Sequence, residues 1–145
     1  ETMKAVRKEV GNDFPVAIKL NSDDFRKGGF NNEECLRVVE WLNDASVDLL
    51  EISGGTYEQP RLLGSEGKSD SIVPVRTSTK VREAYFLEYA SAIHKVATMP
   101  LMVTGGFRTA EGMEAALNSS DCAVIGLARP LCTHIWLSPL LQAAV

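Results

Sequence analysis

The sequence predicts an α/β fold, the C-terminal half of a (β/α)8 TIM barrel with about four β/α units. Short β-rich runs alternate with apolar residues at helical spacing along the 145 residues, an order typical of parallel strands joined by right-handed crossovers. The last two strand patterns both end in glycine, as in barrels whose last two loops bind phosphate. Four strands are too few to close the barrel, so we expect residues 1–145 to form one partial domain.

The first half of the chain predicts helix, strand, helix and strand. Residues 1–11 have the pattern of the end of a helix closed by glycine, and residues 14–21 are a β-rich run. Asn31 and Glu34 form a capping-box pattern ahead of apolar residues at helical spacing. Residues 47–53, VDLLEIS, are the second strand.

The second half continues the alternation. Residues 81–97 are an amphipathic helix, and residues 100–106, PLMVTGG, are the third strand. Thr109 is an N-cap candidate for a helix that runs to residue 120, and residues 122–128, CAVIGLA, are the fourth strand. No G-x-G-x-x-G follows the first strand, so a barrel is favoured over a dinucleotide-binding unit.

Composition narrows the classes of partner. A net charge of −4 gives no basic face for nucleic acid, and no apolar stretch is long enough to cross a membrane. Cys35, Cys122 and Cys132 show no C-x-x-C spacing, so we expect buried reduced thiols and no metal site. The chain is therefore expected to be soluble and cytoplasmic.

The glycines at the ends of the last two strands predict a phosphate site. Without side chains, Gly105, Gly106 and Gly126 would let backbone N–H groups approach phosphate oxygens. Arg129 follows with a guanidinium that can bind phosphate through two donors. Each glycine could instead only form a tight turn, but their joint occurrence with the arginine favours phosphate.

Side-chain alternation predicts two charges inside the barrel. If the apolar residues of the first two strands pack on the helices, then Lys19 points inward on one strand and Glu51 and Ser53 on the next. Lys19 and Glu51 would neutralise one another, as an interior of low dielectric requires. The pair is either a buried ion pair without chemistry or, as we expect, part of an active site.

Four segments together resemble the NADH:flavin oxidoreductase family, the Old Yellow Enzyme group, in its fungal-type members. They are VAIKLN, LLEISGGTYEQP, LMVTGGFRT and AVIGLARPL, and they extend over nearly the whole chain. The resemblance implies an FMN-containing barrel in which hydride passes from NAD(P)H through the flavin to the activated C=C bond of an enone. It also implies that the substrate anchors and the proton donor lie in an N-terminal half outside this chain, so no catalytic residue is assigned here.

The resemblance gives roles to residues of this chain. Lys19 matches the cation beside the flavin pyrimidine ring, and Ser53 and Gly54 border the cofactor. Ala128 stands where the family commonly has a second glycine. The resemblance therefore does not decide whether the backbone N–H at this position contacts the phosphate. The implied cofactor-binding residues are Lys19, Ser53, Gly54, Gly105, Gly106, Gly126 and Arg129, and Tyr57 is implied in substrate binding.

Three functions remain open at this point. The first is an ene-reductase that acts on a small enone-type substrate and has neither nucleic acid nor a membrane as partner. A homo-oligomer is possible for it. The second is an aldolase-like or isomerase barrel in which Lys19 forms a Schiff base and the glycines bind a substrate phosphate. The third is a non-catalytic half-barrel that serves only as a binding or assembly module.

Overall fold

The structure, a computed structural model, describes residues 1–54, 87–107 and 109–133. Helices and strands alternate along these residues, as the sequence predicts. None of the helices described is long and apolar enough to span a membrane. The elements are α1 (Thr2–Val10), β1 (Ala17–Asn21), α2 (Asn32–Asn43), β2 (Leu49–Ser53), α3 (residues 87–94), β3 (Leu101–Thr104), α4 (Ala110–Asn118), β4 (Val124–Gly126) and α5 (Arg129–Thr133).

The four strands form one parallel sheet in the order β1-β2-β3-β4. Each strand pairs with the strand that precedes it along the chain, and Lys19 is in register with Glu51. The carboxyl ends of all four strands therefore lie at one edge of the sheet. The predicted parallel α/β architecture is confirmed.

Local hydrogen bonds begin α2 and α4 and end α1 where the sequence predicts, whereas α4 ends at Asn118 and not at residue 120. The Asn31 side chain accepts from the Glu34 backbone N–H at 3.0 Å, and the Glu34 carboxylate accepts from the Asn31 N–H at 3.0 Å. The Thr109 hydroxyl accepts from the Gly112 N–H at 3.1 Å and caps α4. Gly11 closes α1 with a φ of 79°, a backbone angle that favours glycine.

The core lies on one face of the sheet, beneath α2, α3 and α4. On β2 and β3 the alternate residues that turn toward these helices are fully or almost fully buried, and the residues between them are more exposed. Val16, Ile18 and Leu20 of the first strand region follow the same alternation. The buried core comprises Cys35, Val39, Leu42, Val47, Leu50, Ile52, Ala90, Ile93, Met99, Leu101, Val103, Phe107, Met113, Ala116 and Cys122.

Polar contacts attach α1 to the amino-terminal ends of β1 and β2. Arg7 Nη2 lies 2.7 Å from Asp48 Oδ2, and the Val16 backbone N–H donates to the same oxygen at 2.7 Å. Arg7 Nη1 donates to the Phe14 carbonyl at 2.7 Å. No residue of α1 is fully buried, and these hydrogen bonds hold it in place together with the partly buried Met3, which packs against the core.

The three cysteines do not share one environment. Cys35 and Cys122 are buried thiols, as predicted, but Cys132 is exposed on α5. The expectation of burial was wrong for Cys132, because none of the α5 side chains that the structure describes belongs to the buried core. Burial, with a smaller contribution from Asp23, raises the pKa of Cys35 to about 11, so this thiol stays protonated at neutral pH.

Candidate functional site

The face of the sheet opposite the core presents two rows of side chains, which we call the lower and upper rows. Strand register places the residues of each row side by side, and the upper row lies nearer the carboxyl ends of the strands. Carboxyl ends are where barrel enzymes hold their active sites. The lower row is Lys19, Glu51, Met102 and Val124, and the upper row is Asn21, Ser53, Thr104 and Gly126.

The lower row begins with an ion pair. Lys19 Nζ lies 3.2 Å from Glu51 Oε1, so the predicted contact between these two side chains is confirmed. The Lys19 side chain is 57% exposed and that of Glu51 is 23% exposed. At these exposures, which are those of residues 1–145 by themselves, an ion pair contributes about 0–1 kcal/mol to stability.

The turn after β3 needs its two glycines. Gly105 has a φ of 111° and Gly106 a φ of 87°, and side chains rarely tolerate such angles. The main chain at this edge of the sheet therefore has no Cβ to keep a ligand away. Gly54, after β2, is buried at the same edge.

Gly126 is required by contact between β3 and β4. A Cβ built at this position would overlap Thr104 Oγ1 and lie 2.8 Å from Met102 Cε, so one of the neighbours would have to move. The predicted reason for this glycine was the approach of a phosphate. Packing against Thr104 is a second and sufficient reason.

Thr104 is a polar residue that the sequence interpretation missed. Its Oγ1 is buried, and it has no hydrogen-bond partner among the residues that the structure describes. A buried hydroxyl without a partner costs about 1–3 kcal/mol, so this position marks a site where a polar group is useful. Alternation from Leu101 along LMVT would have turned Thr104 onto the same face as Lys19, and that signal was available.

The other predicted site residues are Ser53, Arg129 and Tyr57. Ser53 lies in the upper row, and its carbonyl accepts from the Ser22 N–H at 2.6 Å. Arg129 is the first residue of α5, but its side chain lies outside the described part of the structure, as does Tyr57 as a whole. The structure thus places Lys19 and Ser53 on one face of the sheet and the predicted glycines at the carboxyl ends of β2, β3 and β4.

A cavity of about 420 Å³ lies at the opposite, amino-terminal ends of β3 and β4. It is lined by residues 97–101 and 120–123 together with His94. It shares no residue with either row and none with the glycine turn. It is therefore separate from the predicted cofactor site.

Two curated proteins resemble this chain over all of its length. The NADH-dependent flavin oxidoreductase iccE of Talaromyces variabilis is 40% identical over 100% of the chain, which corresponds to 33% of that protein. The NADH-dependent flavin oxidoreductase iliE of Hypocrea jecorina is 35% identical over 100% of the chain and 34% of its own length. No protein-family profile matches the chain.

A solved structure of 2-naphthoyl-CoA reductase in complex with 2-naphthoyl-CoA shares the fold. It superimposes with a TM-score of 0.78 at 24% identity, over 98% of this chain and 20% of that one. The chain thus has the fold of part of an α/β barrel, and the predicted fold class is confirmed. By sequence, the chain is homologous along its whole length to the NADH-dependent flavin oxidoreductases, which confirms the predicted resemblance. It spans about a third of the length of these curated relatives.

Proposed function

We propose that the protein to which this chain belongs is a flavin-dependent oxidoreductase that uses NADH or NADPH to reduce the activated C=C bond of an enone. The observation that carries the proposal is the position of Lys19 on the face opposite the core, together with the Gly105–Gly106 turn at the carboxyl end of β3. Similarity over the whole chain to proteins named NADH-dependent flavin oxidoreductase supports it.

The residues present fit the phosphate of FMN at the ends of β3 and β4. Gly105 and Gly106 leave the main chain open to a ligand, and the unpaired Thr104 hydroxyl lies beside them. Arg129 follows Gly126 by one short loop and would supply a charged donor. These residues would hold the phosphate end of the cofactor.

FMN, when bound, supplies hydride transfer between the nicotinamide and the β-carbon of an enone. Lys19 contributes a positive charge on the inward face, which stabilises negative charge that develops on a neighbouring flavin ring. Ser53 and Gly54 would border the cofactor next to Lys19, and Tyr57 would contact the substrate. The proton donor and substrate anchors are expected outside residues 1–145.

The geometry around Lys19 does not separate the Schiff-base alternative from the flavin chemistry. The contact of Lys19 with Glu51 fits either chemistry, because a carboxylate beside a lysine can also accept the proton that the amine must lose. The enone is proposed from the family resemblance. A role limited to binding or assembly would leave the Lys19–Glu51 pair without a use.

Purification of the full-length protein tests the proposal. We expect visible flavin absorbance, FMN in the released ligand, and NADH- or NADPH-dependent reduction of 2-cyclohexenone. A colourless protein that binds neither FMN nor riboflavin would contradict it. Borohydride trapping of a phosphorylated carbonyl substrate on Lys19 would establish the Schiff-base alternative instead.

A further inference from the structure

We propose that Glu51 is a positioning residue that holds the Lys19 ammonium beside the flavin and moderates its charge, and so sets the reduction potential of the cofactor. This inference rests on the proposed function.

Glu51 is the better anchored member of the pair. It lies on β2, which pairs with β1 on one side and β3 on the other, and its side chain is 23% exposed. Lys19 lies on β1, at the edge of the described sheet, and its side chain is 57% exposed. A long, exposed lysine side chain samples many rotamers unless a partner fixes its end.

The contact between them provides that fixed point. Lys19 and Glu51 are direct register partners, and Lys19 Nζ lies 3.2 Å from Glu51 Oε1. Their row continues with Met102 and Val124, which carry no charge. Within the described part of the chain, Glu51 is the carboxylate in salt-bridge contact with Lys19.

Glu51 also reduces the effect of the cation on its surroundings. A carboxylate beside an ammonium opposes its field, so a nearby flavin feels less positive charge than Lys19 alone would supply. Loss of the negative charge stabilises the anionic reduced flavin. The sign of this effect is the same at any distance between Glu51 and the ring. Loss of the contact has the opposite effect, because the Lys19 end group is then free to leave the ring.

Two substitutions in the full-length holoenzyme separate these effects. Glu51→Gln keeps an oxygen that accepts from Lys19 and deletes only the charge, so we expect a higher flavin reduction potential. A tenfold tighter binding of reduced relative to oxidised flavin corresponds to a rise of about 30 mV for the two-electron couple. Glu51→Ala deletes both charge and contact, so its potential is expected to lie below that of Glu51→Gln.

A Lys19→Met background provides the matched control. With no ammonium to hold, Glu51→Gln and Glu51→Ala should there give the same potential. Equal potentials for the two substitutions in the wild-type background would overturn the positioning role, and a Glu51→Gln potential equal to that of the wild type would overturn the influence of its charge. If the wild-type protein holds no flavin, the proposed function fails together with this inference. If the potentials fail to separate in a flavin-loaded protein, only the inference fails.

Discussion

Lys19 is the residue whose substitution most directly tests the proposed chemistry. Lys19→Met keeps the apolar stem and deletes the charge, so the flavin reduction potential of the full-length enzyme should fall. Hydride transfer from the nicotinamide should slow in the same variant. Spectroelectrochemical titration measures the potential, and Lys19→Arg, which keeps a cation, is the control. An unchanged potential in a Lys19→Met protein that still holds FMN would remove Lys19 from the flavin.

Arg129 makes a separate prediction about phosphate. Arg129→Ala should weaken FMN binding by about 1.5–3 kcal/mol, the usual contribution of a hydrogen bond to a charged group. Riboflavin lacks the phosphate, so its affinity should hardly change. Titration calorimetry with both ligands makes the comparison, and equal losses for the two would place Arg129 away from the phosphate.

Single residues of the site were predictable where a short-range rule decides their position. The two-residue period of a strand is enough to bring Lys19 and Glu51 onto the same face, and strand register then places them in contact. The same rule does not reveal that Thr104 occupies the space beside Gly126. That contact depends on the register of β3 against β4, which no local pattern fixes.

At the scale of elements, the fit between β3 and β4 predicts a costly substitution. Gly126→Ala places a methyl group against Thr104 and Met102, and overpacking of this kind typically costs about 1–3 kcal/mol in the free energy of unfolding. Thr104→Ala removes the nearest atom, so the double variant should recover part of the loss. Urea denaturation of the four proteins gives the coupling energy, and a Gly126→Ala protein as stable as the wild type would show that the strands separate freely.

The attachment of α1 to β1 and β2 predicts a pH dependence. The Val16 N–H, followed by Arg7, lowers the pKa of Asp48 in the folded protein. A carboxyl whose folded pKa is lowered stabilises the fold above its unfolded pKa of about 3.9 and loses this effect as the pH falls through the lowered value. The stability difference between wild type and Asp48→Asn should therefore be constant above about pH 5 and shrink below about pH 4.

Denaturant titrations over a pH series check this expectation. Asp13→Asn removes the same charge outside the contact, so its profile should not show the same loss at low pH. A stability difference between wild type and Asp48→Asn that persists unchanged below pH 3 would contradict the assigned cause.

Elements and their ends were largely predictable, because capping is local. Asn31 with Glu34, and Thr109 with Gly112, are three residues apart and fold as the sequence pattern indicates. The contact of Arg7 with Asp48 joins positions 41 residues apart, and no pattern in either segment selects the partner. The exposure of Cys132 was missed for a related reason, since it depends on what packs against α5.

At the scale of the whole molecule, the open sheet predicts how the isolated chain behaves. β1 and β4 are edges of the described sheet, and Val124 on the inward face is 40% exposed. Unpaired strand edges and exposed apolar side chains favour association. We therefore expect residues 1–145 alone to dimerise or aggregate, to bind FMN weakly if at all, and not to reduce an enone with NADPH.

Size-exclusion chromatography with light scattering and a flavin titration measure these outcomes. The full-length protein is the control for both. An isolated chain that is monomeric, yellow and active on 2-cyclohexenone would contradict both the half-barrel architecture and the assignment of catalytic residues to a segment outside it.

The order of the strands in the sheet is the same as their order along the chain. When β2, β3 and β4 leave the ribosome, the preceding strand that each pairs with has therefore already been synthesised. Loop closure between consecutive elements costs less entropy than closure between distant ones. Synthesis from the amino terminus can thus assemble this sheet vectorially, one β/α unit at a time, with a growing edge that always accepts the next strand.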